Sequence, residues 1–311
     1  MIERVCVVGA GVIGSLFAGH LGRVAEVSVL CRRDEHARAL NEHGLRVSGK
    51  AEFVSAVSAA TSAAELEAPQ LVVVATKAGG LEGAAASLRG HWPDAAVMTV
   101  LNGLGAEEVV RRHGEWPLIS AVTFISGTKH SDTHVEYILD TETWLGPYGG
   151  ASLELAEAVG ELIRRSGLKV EVLPDLLPAQ WSKLIFNATV NGVAALTGLP
   201  HDFHFAQEDE SADLGRLVHA LIDEGKAVAR AAAIELHDDP WEMNVLATRR
   251  GSAHFPSMLE DVEAGRPTEV ALINGALVRE ANEHGVATPL HEALYALVRG
   301  REAGCAGPGQ T

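Results

Sequence analysis

The chain has 311 residues, 47% of them hydrophobic and 21% charged, so it can form one or two folded cores and is not a disordered adaptor. It carries 25 Lys and Arg against 41 Asp and Glu, and a net charge of -16 argues against a nucleic-acid partner. Three cysteines without a CxxC pair predict a reducing, cytoplasmic location, and the absence of a run of about 18 apolar residues predicts no membrane partner.

The first half alternates short Val-rich runs with amphipathic stretches, which is typical of parallel strands joined by helices. Because the Val-rich runs are continuously apolar, we expect helices on both faces of the sheet. The predicted strands are Val5–Val8, Val27–Leu30, Leu71–Ala75 and Val97–Leu101, and the predicted helices span residues 12–23, 34–43, 79–89 and 105–113. This order predicts a doubly wound α/β domain.

The strand signal weakens after residue 115, where only short runs remain. An antiparallel extension of the sheet is predicted from Leu118–Ser120, Val122–Ser126, Val135–Leu139 and Thr143–Leu145. A helix over residues 151–166 and a last strand at Lys169–Leu173 follow.

A change of pattern near residue 174 marks a domain boundary. Pro174 and Pro178 interrupt the chain, and only helical periodicity follows from Gln180. We therefore predict an α/β domain over residues 1–174, an all-helical domain over 175–303 and a disordered tail over 304–311.

A G-x-G-x-x-G pattern, formed by Gly9, Gly11 and Gly14, joins the first strand to the first helix. These glycines allow a tight turn, leave room for a pyrophosphate and let the helix pack closely on the strand. Val12 and Ile13 open the helix, whose first N–H groups favour phosphate. An incidental glycine turn is the alternative, but the strand–turn–helix context favours dinucleotide binding and a Rossmann-type domain.

The end of the second strand distinguishes between the two nicotinamide dinucleotides. NAD-binding chains usually place a carboxylate there, whereas this chain has Arg32 and Arg33. Guanidinium groups suit the 2′-phosphate of NADP, so NADPH is the expected cofactor. The alternative is a solvated arginine pair with Asp34 as its counter-ion.

One polar face runs along an otherwise apolar helix in the second half. Lys183, Asn187 and Asn191 recur at every fourth residue and therefore share a face. A buried polar group without a partner costs about 1–3 kcal/mol, so this face is either wet or meets a polar ligand. A surface face is the alternative, although asparagine is a poor helix former.

Two later patterns have structural explanations. Ser257 followed by Glu260 predicts a capping box, and Glu269 after Pro267 predicts an acid in the first turn of another helix. By local rules alone, both are structural and not functional.

Three parts of the sequence together resemble the ketopantoate reductase family, NADPH-dependent enzymes that reduce 2-dehydropantoate. They are the loop GAGVIGS, the Lys-x-x-x-Asn-x-x-x-Asn helix and the stretch SMLEDVEAGRPTEVALINGALVREANEHGVATP. The resemblance extends from Val5 to about Arg301 and is weakest between Pro117 and Gly150. The glycine loop is shared with many dehydrogenases, whereas the other two parts are rather specific to this family.

The resemblance implies a role for individual residues. The implied catalytic residues are Lys183, as general acid, and Glu269, which binds the substrate oxygen opposite it. The implied ligands of the 2-oxo acid substrate are Asn187, Asn191 and Ser257, and those of NADPH, beside the glycine loop, are Arg32 and Lys77 at the 2′-phosphate and Asn102 near the nicotinamide ribose.

Departures from the family pattern leave the acyl part of the substrate open. His254 stands where members often have an amide, so we include it among the substrate-binding residues. Leu101 replaces a polar residue, and the segment HSDTHVEYILDTETWLG lacks several glycines of the family. The alternative substrate is another keto or imino acid.

A third interpretation is a non-catalytic NADP-sensing protein, which would be free to lose Lys183 and Glu269, yet this chain keeps both. No metal site is predicted, because His201 and His204 have no third ligand at a fitting spacing. A homodimer is left open.

Overall fold

The computed structural model describes residues 1–207, 212–249 and 255–305, and the chain forms two compact units. The first unit comprises Met1–Leu101 and Ala106–Leu176. The second comprises the short segment Asn102–Gly105 and the chain from Leu177 onward. The sequence predicted a boundary after residue 174 and gave no sign that Asn102–Gly105 groups with the helical unit.

The first unit is built from strands and helices that alternate along the chain. Its strands are β1 Arg4–Val8, β2 Glu26–Leu30, β3 Leu45–Gly49, β4 Phe53–Ser55, β5 Ser58–Ala60, β6 Leu71–Val74, β7 Ala96–Val100, β8 Leu118–Thr123, β9 Ser126–Ser131, β10 His134–Leu139, β11 Thr143–Tyr148 and β12 Val170–Val172. Its helices are α1 Val12–Leu21, α2 Asp34–His43, α3 Ala78–Ser87, α4 Ala106–Arg111 and α5 Leu153–Arg165, with a 3-10 turn at Ala63–Glu65.

An eight-stranded sheet forms the centre of this unit, in the order β12-β11-β8-β7-β6-β1-β2-β5. Every neighbouring pair is parallel except β11 and β8. Val5 and Val7 of β1 join the core that contains α1, whereas Cys6 and Val8 join a separate core with Leu81 of α3. The alternation of side chains thus buries both faces of the sheet, and the predicted doubly wound α/β fold is confirmed.

A second sheet, in the order β4-β3-β10-β9, packs on α1. The prediction that Val135–Leu139 extends the first sheet is therefore wrong, because this run lies on β10, which pairs in parallel with β3 and antiparallel with β9. Strand β9 was not predicted, and the predicted runs Leu118–Ser120 and Val122–Ser126 fall mainly on the single strand β8. Only β11 extends the first sheet in antiparallel fashion, against β8. Strands β3 to β5 were not predicted, because they are short and carry polar residues or alanine in place of a Val-rich run.

The second unit is helical, as predicted. Its helices are α6 Leu177–Thr197, α7 Asp213–Ala231, α8 Pro240–Thr248, α9 Ser257–Glu263, α10 Asn274–Glu283 and α11 Pro289–Cys305, with a 3-10 turn at Phe203–Ala206. The other five helices all pack against α6, whose apolar side chains form the centre of the core. None of the helices in the described ranges combines the length and the apolarity needed to cross a membrane.

Three local predictions for this unit are wrong. Helix α9 starts at Ser257 with Pro256 as its N-cap and without a side-chain cap, so there is no capping box. Glu269 precedes α10: its carbonyl accepts the N–H groups of Leu272 and Ile273, each at 3.0 Å, and closes a turn before the helix starts at Asn274. Helix α11 continues to Cys305, so the predicted tail starts too early, and residues 306–311 lie outside the described ranges.

Candidate active site

The glycine loop lies between β1 and α1, with space beside it. Gly9 has a φ of +99°, and a Cβ atom there would lie 2.7 Å from Thr76 Cγ2. A Cβ atom at Gly14 would lie 1.8 Å from the carbonyl oxygen of Gly9, so helix and loop touch through backbone. At Gly11, by contrast, a Cβ atom would meet nothing within 4 Å. The loop is thus closed where it packs on protein and open where a ligand can approach its backbone.

The start of α1 presents further hydrogen-bonding groups. Gly11 is the N-cap, and no side chain of the described ranges caps the helix, so the N–H groups of Val12 and Ile13 at its start have no side-chain acceptor. The hydroxyl groups of Ser15 and Thr76 are buried and have no hydrogen-bond partner in the described part of the chain. Open space, free N–H groups and the positive end of the helix dipole fit the pyrophosphate of a dinucleotide.

Two cationic residues follow the two strands that flank β1, at the same edge of the sheet. Strands β6, β1 and β2 are adjacent and parallel, so their carboxyl ends lie along one edge. The glycine loop follows β1, Arg32 follows β2 and Lys77 follows β6 just before α3. Both side chains are exposed, and within the described ranges Arg32 has no hydrogen bond or ion pair. This edge can receive an anionic group beside the loop.

The second arginine has a structural role. Arg33 donates two hydrogen bonds to the Asp132 carboxylate, at 2.7 and 2.8 Å. Asp34 instead accepts a hydrogen bond from Thr61 at 2.7 Å, so the predicted Asp34 counter-ion is wrong. Arg33 thereby holds the start of α2 to the turn between β9 and β10, and Arg32 remains available for a ligand.

One lysine next to the glycine loop was not predicted from the sequence. Lys129, on β9, donates a hydrogen bond to the carbonyl of Ala10 inside the loop. Its ammonium lies 3.4 Å from His36 Nε2, and burial lowers the pKa of Lys129. No local pattern could have revealed this contact, because it depends on how the second sheet packs on α1.

In the second unit, the polar face of α6 is buried and not solvated. Lys183, Asn187 and Asn191 retain 6%, 8% and 6% of their accessible surface. Burial lowers the pKa of Lys183 to about 8, while the negative charge of Glu269 works in the opposite direction. The surface-face alternative is therefore wrong, and Lys183 is a buried ammonium whose acidity depends on the Glu269 carboxylate.

Glu269 is held by Asn102, the first residue of the short segment Asn102–Gly105 that belongs to this unit. Asn102 donates a hydrogen bond from Nδ2 to Glu269 Oε2 at 2.9 Å, and its Oδ1 accepts one from Asn187 at 3.4 Å. Asn102, Asn187, Glu269 and Lys183 thus form one connected group. The sequence placed Asn102 near the cofactor but did not predict that it binds the Glu269 carboxylate.

Backbone contacts explain how Asn102 reaches Glu269. The N–H of Leu104 donates to the carbonyl of Leu272 at 3.2 Å. Gly103 has a φ of +92°, and a Cβ atom there would lie 2.0 Å from that same carbonyl oxygen. Only glycine satisfies both the conformation and the close approach, so Gly103 fixes Asn102 against the turn that carries Glu269.

Of the three remaining predicted substrate ligands, the two within the described ranges are not part of this hydrogen-bonded group. Asn191 continues the face of Lys183 one turn beyond Asn187, and no residue of the described ranges hydrogen-bonds its side chain. Ser257 is exposed at the start of α9, which packs on α6. Because it caps nothing, its hydroxyl is available for a ligand. His254 lies outside the described residues.

Comparison with known proteins identifies the family. The family model for Ketopantoate reductase PanE/ApbA matches residues 5–150, and that for Ketopantoate reductase PanE/ApbA C terminal matches residues 175–302. The chain belongs to the ketopantoate reductase family. It is therefore an oxidoreductase of the class that acts on CH–OH groups, with a small molecule as its substrate.

Individual ketopantoate reductases match over nearly their whole length. The 2-dehydropantoate 2-reductase of Archaeoglobus fulgidus is 30% identical over 304 residues, which cover 97% of this chain and 99% of that protein. The crystal structure of 2-dehydropantoate 2-reductase from Methylococcus capsulatus has a TM-score of 0.85 at 27% identity and covers 98% of both chains. The ternary structure of D-mandelate dehydrogenase with NADH and anilino(oxo)acetate has a TM-score of 0.87 at 23% identity over 98% of this chain and 100% of that one, and shows a shared fold alone.

The two histidines considered as metal ligands have protein partners. His201 Nε2 lies 2.8 Å from Asn244 Oδ1, and His204 Nδ1 lies 2.8 Å from Asp202 Oδ1. Within residues 1–207, 212–249 and 255–305, no group of three or more His, Cys, Asp or Glu side chains is arranged to hold a metal ion.

Proposed function

We propose that this protein reduces 2-dehydropantoate to pantoate with NADPH, using Lys183 as the proton donor, as a step of pantothenate biosynthesis. The observation that carries the proposal is the buried Lys183 ammonium beside Glu269, with a pKa lowered to about 8. Such a group is largely protonated at pH 7 and releases its proton more readily than a solvated lysine. The named activity of relatives that match over nearly the full chain supports the choice of substrate.

The chemistry requires a positive charge and a proton at the ketone oxygen. As negative charge grows on that oxygen, the Lys183 ammonium stabilises it and then transfers a proton to it. Glu269 accepts a hydrogen bond from the hydroxyl group that forms, and its charge keeps Lys183 protonated. The donor is regenerated when Lys183 takes a proton from solvent.

The neutral polar side chains orient the substrate. Asn187 and Asn191 offer amide groups on the same face of α6 as Lys183. Ser257 offers an uncapped hydroxyl for the substrate carboxylate. We include His254 as a further contact to the carboxylate, from its place in the sequence. Fixing both ends of a small 2-oxo acid holds its carbonyl group at Lys183.

The first unit supplies the cofactor site in this proposal. The loop of Gly9, Gly11 and Gly14 and the start of α1 hold the pyrophosphate, and Arg32 with Lys77 binds the 2′-phosphate. From the resemblance to the family alone, we also assign Asn102, which belongs to the second unit, to the nicotinamide ribose. When bound, NADPH supplies the hydride that reduces the ketone carbon.

A substrate and cofactor matrix tests the proposal. The purified protein is assayed with 2-dehydropantoate and a panel of other 2-oxo acids, each with NADPH and with NADH. We expect the highest kcat/KM for 2-dehydropantoate with NADPH. A clear preference for a different 2-oxo or imino acid would show that the protein acts in a specialised pathway. If none of the acids led to oxidation of NADPH, the proposed reaction would be overturned.

A further inference from the structure

A buried asparagine outside the proposed site ties together the two elements that carry Lys183 and Glu269. Asn274, the first residue of α10, has no accessible surface and donates a hydrogen bond from Nδ2 to the carbonyl of Ala188 at 2.7 Å. Its Oδ1 is buried without a partner in the described ranges. A buried amide oxygen without a partner lowers the stability of the fold. The presence of Asn274 at this position therefore needs an explanation, and its hydrogen bond to Ala188 offers one.

The acceptor of this hydrogen bond lies on the helix of the site. Ala188 follows Asn187 on α6 and lies little more than one turn beyond Lys183. The surface of α6 leaves room for the amide at Gly192, where a Cβ atom would lie 3.3 Å from Asn274 Nδ2 and 2.7 Å from Leu294 Cδ2. Asn274 is thus anchored on the same helix that positions the proposed proton donor.

A short hydrogen-bonded turn links the anchor to the carboxylate. The Glu269 carbonyl accepts the N–H groups of Leu272 and Ile273, each at 3.0 Å, and the Val270 carbonyl accepts the N–H of Gly275 at 2.9 Å. These bonds leave the backbone between Glu269 and Asn274 little freedom. A shift of Asn274 along α6 therefore displaces Glu269 relative to Lys183.

We propose that Asn274 is a positioning residue, which holds the Glu269 turn on α6 through Ala188 so that the carboxylate stays beside the Lys183 ammonium. The inference rests on the roles given to Lys183 and Glu269 under the proposed function. The negative charge of Glu269 raises the pKa of Lys183, against the lowering effect of burial. The acidity of Lys183 therefore reports on the position of Glu269.

The chain offers a matched control for a purely structural effect. Asn244 on α8 also has no accessible surface and donates from Nδ2 to a backbone carbonyl, that of Phe205, at 2.8 Å. Its contacts do not involve the Glu269 turn. Asn274→Ser and Asn244→Ser each remove a buried amide, and both variants are expected to lower the melting temperature.

The decisive readout is the pKa of Lys183, measured on the intact protein by competitive acetylation with acetic anhydride across pH and peptide mass spectrometry. In Asn274→Ser we expect a fall of about 0.5–1 pH unit from the unmutated value, because Glu269 moves away. In Asn244→Ser we expect no change. Under the proposed reaction, Asn274→Ser also lowers kcat on the order of tenfold, with a smaller effect on KM.

A second variant guards against loss of folding. Gly192→Ala favours the helix by its propensity and places a methyl group 2.7 Å from Leu294 Cδ2, which must shift, and 3.3 Å from the Asn274 amide. The tight contact with the amide should shift the Lys183 pKa in the same direction but less. An unchanged Lys183 pKa in the folded Asn274→Ser and Gly192→Ala proteins would overturn the inference, as would an equal shift in Asn244→Ser. Acetylation needs no substrate, so a protein that reduces no 2-oxo acid would overturn the proposed function while this readout still decides the role of Asn274.

Discussion

The glycine loop of the first unit and the Lys183 face of the second build a site in opposite ways. The loop presents backbone N–H groups and open space at Gly11, with the cation Arg32 exposed nearby. The Lys183 face consists of side chains buried on an apolar helix. Exposed guanidinium groups suit the recognition of a permanent anion, whereas a proton donor needs burial to shift its pKa.

The two sites are therefore sensitive to different substitutions. The loop depends on the absence of side chains, and its chemistry tolerates solvent. The Lys183 face depends on a balance between burial, which lowers the pKa of Lys183, and the charge of Glu269, which raises it. Substitutions that disturb one kind of site should leave the other intact, and the following predictions test that separation.

The largest effect is expected from removing the ammonium. Lys183→Met should lower kcat by about two to four orders of magnitude, because proton donation and charge stabilisation are lost together. The affinity for NADPH, measured by fluorescence titration, should stay within about threefold. Lys169→Met, at an exposed lysine paired with Asp140, is the control and should retain its kcat. An undiminished kcat in Lys183→Met would show that another residue donates the proton.

The next largest effect concerns the loop edge. Arg32→Ala should raise the KM for NADPH by roughly ten- to a hundredfold and leave the KM for NADH nearly unchanged, since a charge-assisted hydrogen bond contributes about 1.5–3 kcal/mol. Steady-state kinetics with both cofactors measures this. Arg33→Ala is the neighbouring control, because Arg33 is engaged by Asp132. Equal use of both cofactors by the unmutated protein would refute NADPH specificity.

A smaller effect is expected when only the balance around Lys183 changes. Glu269→Gln keeps the shape but removes the charge that raises the pKa of Lys183, so that pKa should fall below about 8. Reduction requires protonated Lys183, and the falling limb of the pH–rate profile should therefore move to lower pH. The profile of the variant is compared with that of the unmutated protein, and coincident alkaline limbs would show that Glu269 does not act on the proton donor.

The smallest effect on stability is expected at Ser257. Since this side chain caps nothing in α9, Ser257→Ala should change the free energy of unfolding by no more than about 0.5 kcal/mol. The KM for the 2-oxo acid should still rise several-fold if the hydroxyl binds the carboxylate. Thermal unfolding and substrate kinetics separate the two, and a large loss of stability with an unchanged KM would restore a structural role.

The fold was largely predictable because buried parallel strands require continuous apolar runs, as in Leu71–Val74. The second sheet was not, because its identity depends on which strands pair. His134–Leu139 has the composition of any short strand, and only its pairing with Leu45–Gly49 places it in a separate sheet. Local composition carries no information on that choice.

The part of the site that was predictable is the part whose residues recur at helical spacing on one helix. Lys183, Asn187 and Asn191 stand four residues apart on one helix, so the sequence shows their common face. The hydrogen bond between Asn102 and Glu269 joins residues far apart in the chain and depends on Gly103 fitting against Leu272. Such contacts depend on tertiary packing, so the local sequence does not predict them.

In the proposed reaction, Lys183 donates the proton during reduction of a 2-oxo acid. The most direct test is the pH dependence of kcat/KM for 2-dehydropantoate at saturating NADPH, measured from pH 6 to about pH 10, the range that contains the shifted and the ordinary lysine pKa values. If Lys183 is the proton donor, kcat/KM is constant at low pH and falls tenfold per pH unit above about pH 8, where Lys183 loses its proton. A rate that stays constant up to pH 10 would contradict it.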